Sequence, residues 1–181
     1  MNENILVVHP DTGSIDFEIF QAIYQDSPCT IITDPCLPEN TIRELIEEHD
    51  VIVLIGCFDK DGLLARNSET GRYYILINET YIKLLKQKRV YSIGGKDYFA
   101  KHGVPGLHTG VILTSSFVAS LYDIEATEEE IVCSAMRLMS ILGDTLEMSD
   151  LREMEAKIFA EYDNIDPVSS FNKNEIIALQ G

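Results

Sequence analysis

Hydrophobic and polar positions along this 181-residue chain form short continuous apolar runs, each followed by a stretch with helical spacing. Ile5 to Val8 is an unbroken apolar run ending at His9-Pro10, which predicts a central strand buried on both faces. In the stretch from Ile15 to Tyr24, residues Ile15, Ile19, Ala22 and Ile23 fall on one helical face. A short strand is predicted at Thr30 to Thr33, before Pro35 and Pro38 break the chain. Ile42, Leu45 and Ile46 then mark a helix over Asn40 to His49, ahead of a strand at Val51 to Ile55. The first 56 residues therefore read βαβαβ.

Cys57 to Tyr73 carries Gly, Asp, Lys, Asn and Ser without clear periodicity and is expected to be a long loop beyond the carboxyl end of a strand, the rim where open parallel sheets bind ligands. A strand at Tyr74 to Ile77, a helix at Glu79 to Gln87 and a core strand at Arg89 to Ile93, ending at Gly94-Gly95, follow. A turn-rich loop is expected over Lys101 to Gly110 and another strand at Val111 to Thr114. Thr127 to Glu130 has the form of a capping box, and Gly143 stands where that helix would be capped at its end. A last amphipathic helix is predicted from about Ser149 to Tyr162, with Leu151, Met154, Ile158 and Phe159 on one stripe. The expectation is one α/β domain over residues 1–181, three-layer α/β/α with a mostly parallel central sheet, caspase-like or flavodoxin-like, and a helical portion from about residue 127.

Composition changes this picture little, since 45% hydrophobic and 24% charged residues are ordinary for a packed globular chain. The longest apolar run, Val51 to Ile55, falls far short of the roughly 20 residues that span a bilayer, so no transmembrane helix is expected. The amino terminus reads as a first strand without a leader segment. Charge says more. Thirty acidic against fourteen basic residues give a net charge of −16, which repels phosphate backbones and anionic membranes. Direct nucleic-acid and membrane partners are therefore not expected. The acids are scattered, as for a solvated surface, although an acidic decoy occupying a basic protein site is the sharper alternative. Cys29, Cys36, Cys57 and Cys133 form no CxxC pair, so free thiols, a cytoplasmic setting and no metal site are expected, with a Cys29–Cys36 bridge as the disfavoured alternative.

One stretch carries a family resemblance. The strand ending Leu-Ile-Gly-Cys57-Phe, then Asp61-Gly62-Leu63-Leu64, a short strand, Tyr81 to Leu85, and a strand ending Tyr-Ser-Ile-Gly-Gly95 resemble the core of caspase-like cysteine peptidases, including CHAT-type domains. The resemblance covers residues 4 to 120 in layout and 51 to 100 in detail. It implies that the third strand runs into a turn holding the family's histidine and that the fourth ends at the nucleophilic cysteine. In this chain those places fall at Cys57 and at Gly94 or Gly95, so the dyad is absent and the resemblance is to a degenerate member.

Cys57 itself is the candidate nucleophile, with His108, His102 or His9 as base. The opposing reading is a small apolar residue beside a strand. His9-Pro10-Asp11-Thr12-Gly13-Ser14 occupies the place of an anion-binding turn, with Thr12 or Ser14 equally explained as a helix cap and Asp11 opposing a phosphate. The candidate ligand-binding set is Asp11, Thr12, Ser14, Cys57, Asp59, Gly94, Gly95 and His108. No dinucleotide or triphosphate motif occurs, and no cofactor is expected. The reading that asks for no missing catalytic group is a non-catalytic domain that binds a protein or small molecule through its rim loops, with a homo-oligomer left open. Cys57-dependent hydrolysis is the alternative, and the acidic decoy the third.

Overall fold

The runs of branched aliphatic residues form the centre of the molecule. The computed structural model describes residues 4–10, 16–34, 36–67, 69–162 and 166–181. Strands β1 (Ile5–Val8), β2 (Cys29–Ile32), β3 (Val51–Ile55), β7 (Arg89–Ile93), β8 (Gly106–Thr109) and β9 (Ile176–Leu179) make one six-stranded sheet in the order β2-β1-β3-β7-β8-β9. All neighbours are parallel except β9, which runs antiparallel to β8. In register, Val7, Val53, Tyr91 and Leu107 lie side by side, as do Val8, Leu54, Ser92 and His108 in the next row. Strand side chains alternate between faces, so these rows face opposite layers.

One face is covered by helices α1 (Phe17–Gln21), α6 (Glu128–Gly143) and α7 (Leu151–Glu161), whose Ile19, Leu138, Met139, Met154 and Ile158 pack on the Val7 row. The other face is covered by α2 (Glu39–Glu48), α3 (Ile82–Leu85) and α4 (Lys96–His102). The architecture is therefore three-layer α/β/α with a mostly parallel central sheet. Short helix α5 (Ser116–Ser120) lies near the rim, and α8 (Pro167–Asn174) leads into β9. Among the described residues no helix is long and apolar enough to cross a membrane.

The segment expected as one long loop is instead folded. β4 (Phe58–Asp59), β5 (Gly62–Arg66) and β6 (Tyr73–Ile77) form a separate antiparallel sheet. Asp59 Oδ1 accepts from the amides of Asp61 and Gly62, at 2.7 and 3.1 Å, and so closes the β4–β5 turn. Gly62 has φ +138°, and a Cβ there would stand 1.9 Å from the Ile77 carbonyl oxygen, so only glycine lets β5 meet β6.

The strand expected at Val111 to Thr114 lies earlier, at β8, and residues 101–103 close helix α4 rather than belonging to a loop. Gly106 permits this shift, because a Cβ there would sit 2.0 Å from the Val90 carbonyl oxygen. The capping box forms as expected: Thr127 Oγ1 accepts from the Glu130 amide, and Glu130 Oε2 accepts from the Thr127 amide at 2.8 Å. Gly143 has a different role from the expected cap. It is the last residue of α6 and allows close approach to the turn after α1, since a Cβ would lie 2.6 Å from the Ile23 carbonyl oxygen. The helix expected from about Ser149 to Tyr162 is α7, which is capped by Asp150 and buries Met154 and Ile158 but leaves Phe159 exposed. It is not the last, because α8 follows and buries Val168 and Asn172. The portion after residue 127 consists of α6, α7 and α8, of which α6 and α7 cover the sheet, and ends in β9, which joins it. All four cysteines are free, so Cys29 and Cys36 are not bridged.

Candidate functional site

The carboxyl ends of the parallel strands bring His9-Pro10 after β1, Gly56-Cys57 after β3, Gly94 after β7 and Gly110 after β8 to one rim. Together they enclose a pocket of about 280 Å³. Its walls are largely apolar: Phe17 and Phe20 from α1, Phe58 from β4, Ile93, Ile112 and Val118. Its floor is main chain. The Gly56 amide donates to the Ile93 carbonyl at 3.2 Å, and Gly94, at φ +88°, presses so close that a Cβ there would lie 2.4 Å from the Gly56 carbonyl oxygen.

This geometry bears directly on the resemblance. Neither glycine on the β7 side has room for a nucleophilic side chain. At Gly94 the obstacle is the Gly56 backbone, and at Gly95 a Cβ would meet Ser92 Oγ at 2.8 Å and the Phe99 ring at 2.9 Å. Gly95 is buried and starts α4 instead of bordering the rim pocket.

Cys57 is exposed at the pocket wall. Partial burial of the sulfur, and then the nearby Asp16 carboxylate, push its thiol above the ordinary cysteine range, the opposite of what a working thiolate needs. The candidate bases are engaged elsewhere. His9 borders the pocket but is buried, with Nδ1 3.0 Å from Tyr24 Oη and its ring stacked on Phe17 at 4.1 Å. His108 is fully buried, away from the pocket: Nε2 donates to the Val104 carbonyl at 3.0 Å and Nδ1 accepts from Ser92 Oγ at 2.9 Å. Burial lowers its imidazole to about pKa 4, so it is neutral at physiological pH. His102 packs on the Tyr98 ring in a separate cavity. The fourth histidine, His49, bonds to the Leu45 carbonyl and Thr30 Oγ1.

Of the expected ligand-binding set, the structure thus brings Cys57 and Gly94 together at the pocket. It assigns Asp59 to the β4–β5 turn, Gly95 to the start of α4 and His108 to the core. Asp11, Thr12 and Ser14 lie outside the described residues. Sequence reasoning missed the walls contributed by α1 and α5. Its one usable signal for α5 was Ser115, whose hydroxyl caps that helix by accepting from the Val118 amide at 3.3 Å. Among the described residues no group of acidic, histidine or cysteine side chains could hold a metal ion. In comparisons with known proteins, the chain matches no protein-family model and no curated protein.

Proposed function

We propose that the chain is a non-catalytic, caspase-like α/β protein that binds an apolar group of a protein or small-molecule partner at its rim pocket. The observation that carries this reading is a cavity with apolar walls and a main-chain floor where the resemblance places a catalytic dyad. The ends of β3 and β7 touch through Gly56 and Gly94, so the two dyad positions are neighbours, yet one bears a protonated thiol and the other no side chain. Burying apolar surface is worth roughly 25 cal/mol per Å², which makes such walls a source of affinity without chemistry. Next to the pocket, α5 and the turn after it expose Phe117 (71%) and Leu121 (64%), which extends the apolar surface that a partner would cover. Four free thiols accord with a reducing, cytoplasmic setting.

One observation favours hydrolysis as a second reading: His9 and Cys57 border the same pocket. Disulfide trapping of thiol-bearing fragments at Cys57 distinguishes the two. The binding reading expects apolar fragments to be captured at least about tenfold more than polar ones of equal size, with the preference abolished by Val118→Asp. Equal capture of both classes would reject it, and so would turnover of peptide or thioester substrates that Cys57→Ser eliminates.

A further inference from the structure

A second cavity, of about 300 Å³, opens between the β4–β5 turn, the Asn78–Thr80 turn after β6, and α4. It contrasts with the rim pocket in being lined by polar groups, among them Asp61, Glu79, Lys60 and His102. Tyr98 also borders it and is only 4% exposed. Its ring is held by Phe58, Phe99 and His102, at centroid distances of 5.9, 5.2 and 4.7 Å, so the direction of its hydroxyl is fixed by packing.

That hydroxyl is buried and has no hydrogen-bond partner. An orphaned buried hydroxyl is destabilising, and a phenylalanine would fill the same packing site without that cost. Burial first, then the charges of Glu79, Asp61 and Asp59, push the phenol up to about 12, so it stays neutral. Glu79 and Asp61 belong to the same cavity wall, and among the described residues neither joins an ion pair. Asn78 Oδ1 is already used by the amide and hydroxyl of Thr80, at 2.9 and 2.7 Å. The unused acceptors are therefore one buried phenol oxygen and two carboxylates, opposed in the lining by the Lys60 ammonium. Several separated acceptors are matched by an organic cation with several N–H donors. A guanidinium meets separated acceptors with five donors in a flat fork, whereas an ammonium offers three from one point.

We propose that this cavity binds a guanidinium group, whose N–H donors are accepted by Tyr98 Oη and by the Asp61 and Glu79 carboxylates. The site is separate from the rim pocket and does not depend on the function proposed for it.

Agmatine is the test ligand and butylamine the control that lacks the guanidinium fork, with binding read by calorimetry and thermal unfolding on the full chain. Agmatine should raise the wild-type Tm and bind at least about tenfold more tightly than butylamine. Tyr98→Phe should unfold at the same or a higher temperature without ligand, because the orphan hydroxyl is gone, yet lose the agmatine-induced shift. Asp61→Asn with Glu79→Gln should weaken agmatine by about tenfold or more. The acetylated, amidated tripeptide Gly-Arg-Gly separates sources: tighter binding than agmatine identifies an arginine side chain of a peptide, weaker binding a free small guanidine. The proposal is overturned by no agmatine shift in the wild type, or by an undiminished shift in Tyr98→Phe. It is equally overturned if Tyr98→Phe is less stable without ligand, because the hydroxyl is then already satisfied by water.

Discussion

At the ends of β3 and β7 the molecule has space without chemistry: an open pocket, a protonated thiol and a floor of glycine backbone. Two residues upstream on β7, and directly across on β8, it has chemistry without space. Ser92 and His108 are register partners joined by a 2.9 Å hydrogen bond, and both are fully buried. With Nε2 donating to Val104, the imidazole is held in the tautomer whose Nδ1 accepts from Ser92. A hydroxyl beside a neutral imidazole resembles part of a hydrolytic triad, but no substrate or water can reach it, and Phe99 stacks on the ring at 5.0 Å. Access and reactive groups are both required of a catalytic site, and here they lie in adjacent rows of the same strands.

The sharpest attempt to break this contrast is to give the open position a side chain. Gly94→Ala should destabilise the fold by about 3 kcal/mol, measured by urea unfolding, because the residue sits at φ +88° and its Cβ would press on the Gly56 carbonyl. A variant as stable as wild type would mean that the floor yields and could accommodate a nucleophile.

The buried pair can be probed by removing its base. His108→Leu should cost about 2 kcal/mol at neutral pH by orphaning the Ser92 hydroxyl. It should also flatten the acid limb of the stability profile. The native imidazole is lowered to about pKa 4 from 6.5, so between these values the unfolded chain binds the extra proton, and stability falls as pH drops through that window. Wild type should lose roughly 3 kcal/mol there relative to the variant. Identical acid limbs would show that His108 titrates as an accessible group.

The smallest effect is expected at Cys57. Mass-spectrometric mapping of iodoacetamide labelling should show Cys57 reacting several-fold more slowly than a free peptide thiol near neutral pH, since its pKa is raised. Cys57→Ser should change stability by less than about 0.5 kcal/mol, as at other exposed sites. Accelerated labelling would bring reactive chemistry back to the open pocket.

Two of the parallel strands were legible because strands buried on both faces need continuous apolar runs, as at Ile5–Val8 and Val51–Ile55. Arg89–Ile93 also lies where the sequence predicts it, although Arg89 and Ser92 interrupt its apolar residues. β8 was not, because its residues are Gly, Leu, His and Thr, chosen by a backbone contact at Gly106 and by the Ser92 bond rather than by hydrophobicity. The β4–β5 hairpin was hidden for a similar reason: Asp59 and Gly62 read as loop residues, and only the turn they close explains them. Of the site, the glycines and Cys57 could be placed at a rim from their position after strands. The engagement of each histidine could not, since His9, His49 and His108 are fixed by partners between 4 and 19 residues away in sequence, and their spacing follows no motif.

The glycine floor of the rim pocket also sets how this protein can diversify. Gly56 and Gly94 present no side chain to exchange, and any replacement at Gly94 collides with main chain. Inherited variation can retune what the pocket accepts through its walls, among them Phe17, Phe20, Phe58 and Val118, which are carried by α1, the small antiparallel sheet and α5. Ligand preference can therefore drift while the base of the cavity keeps one shape.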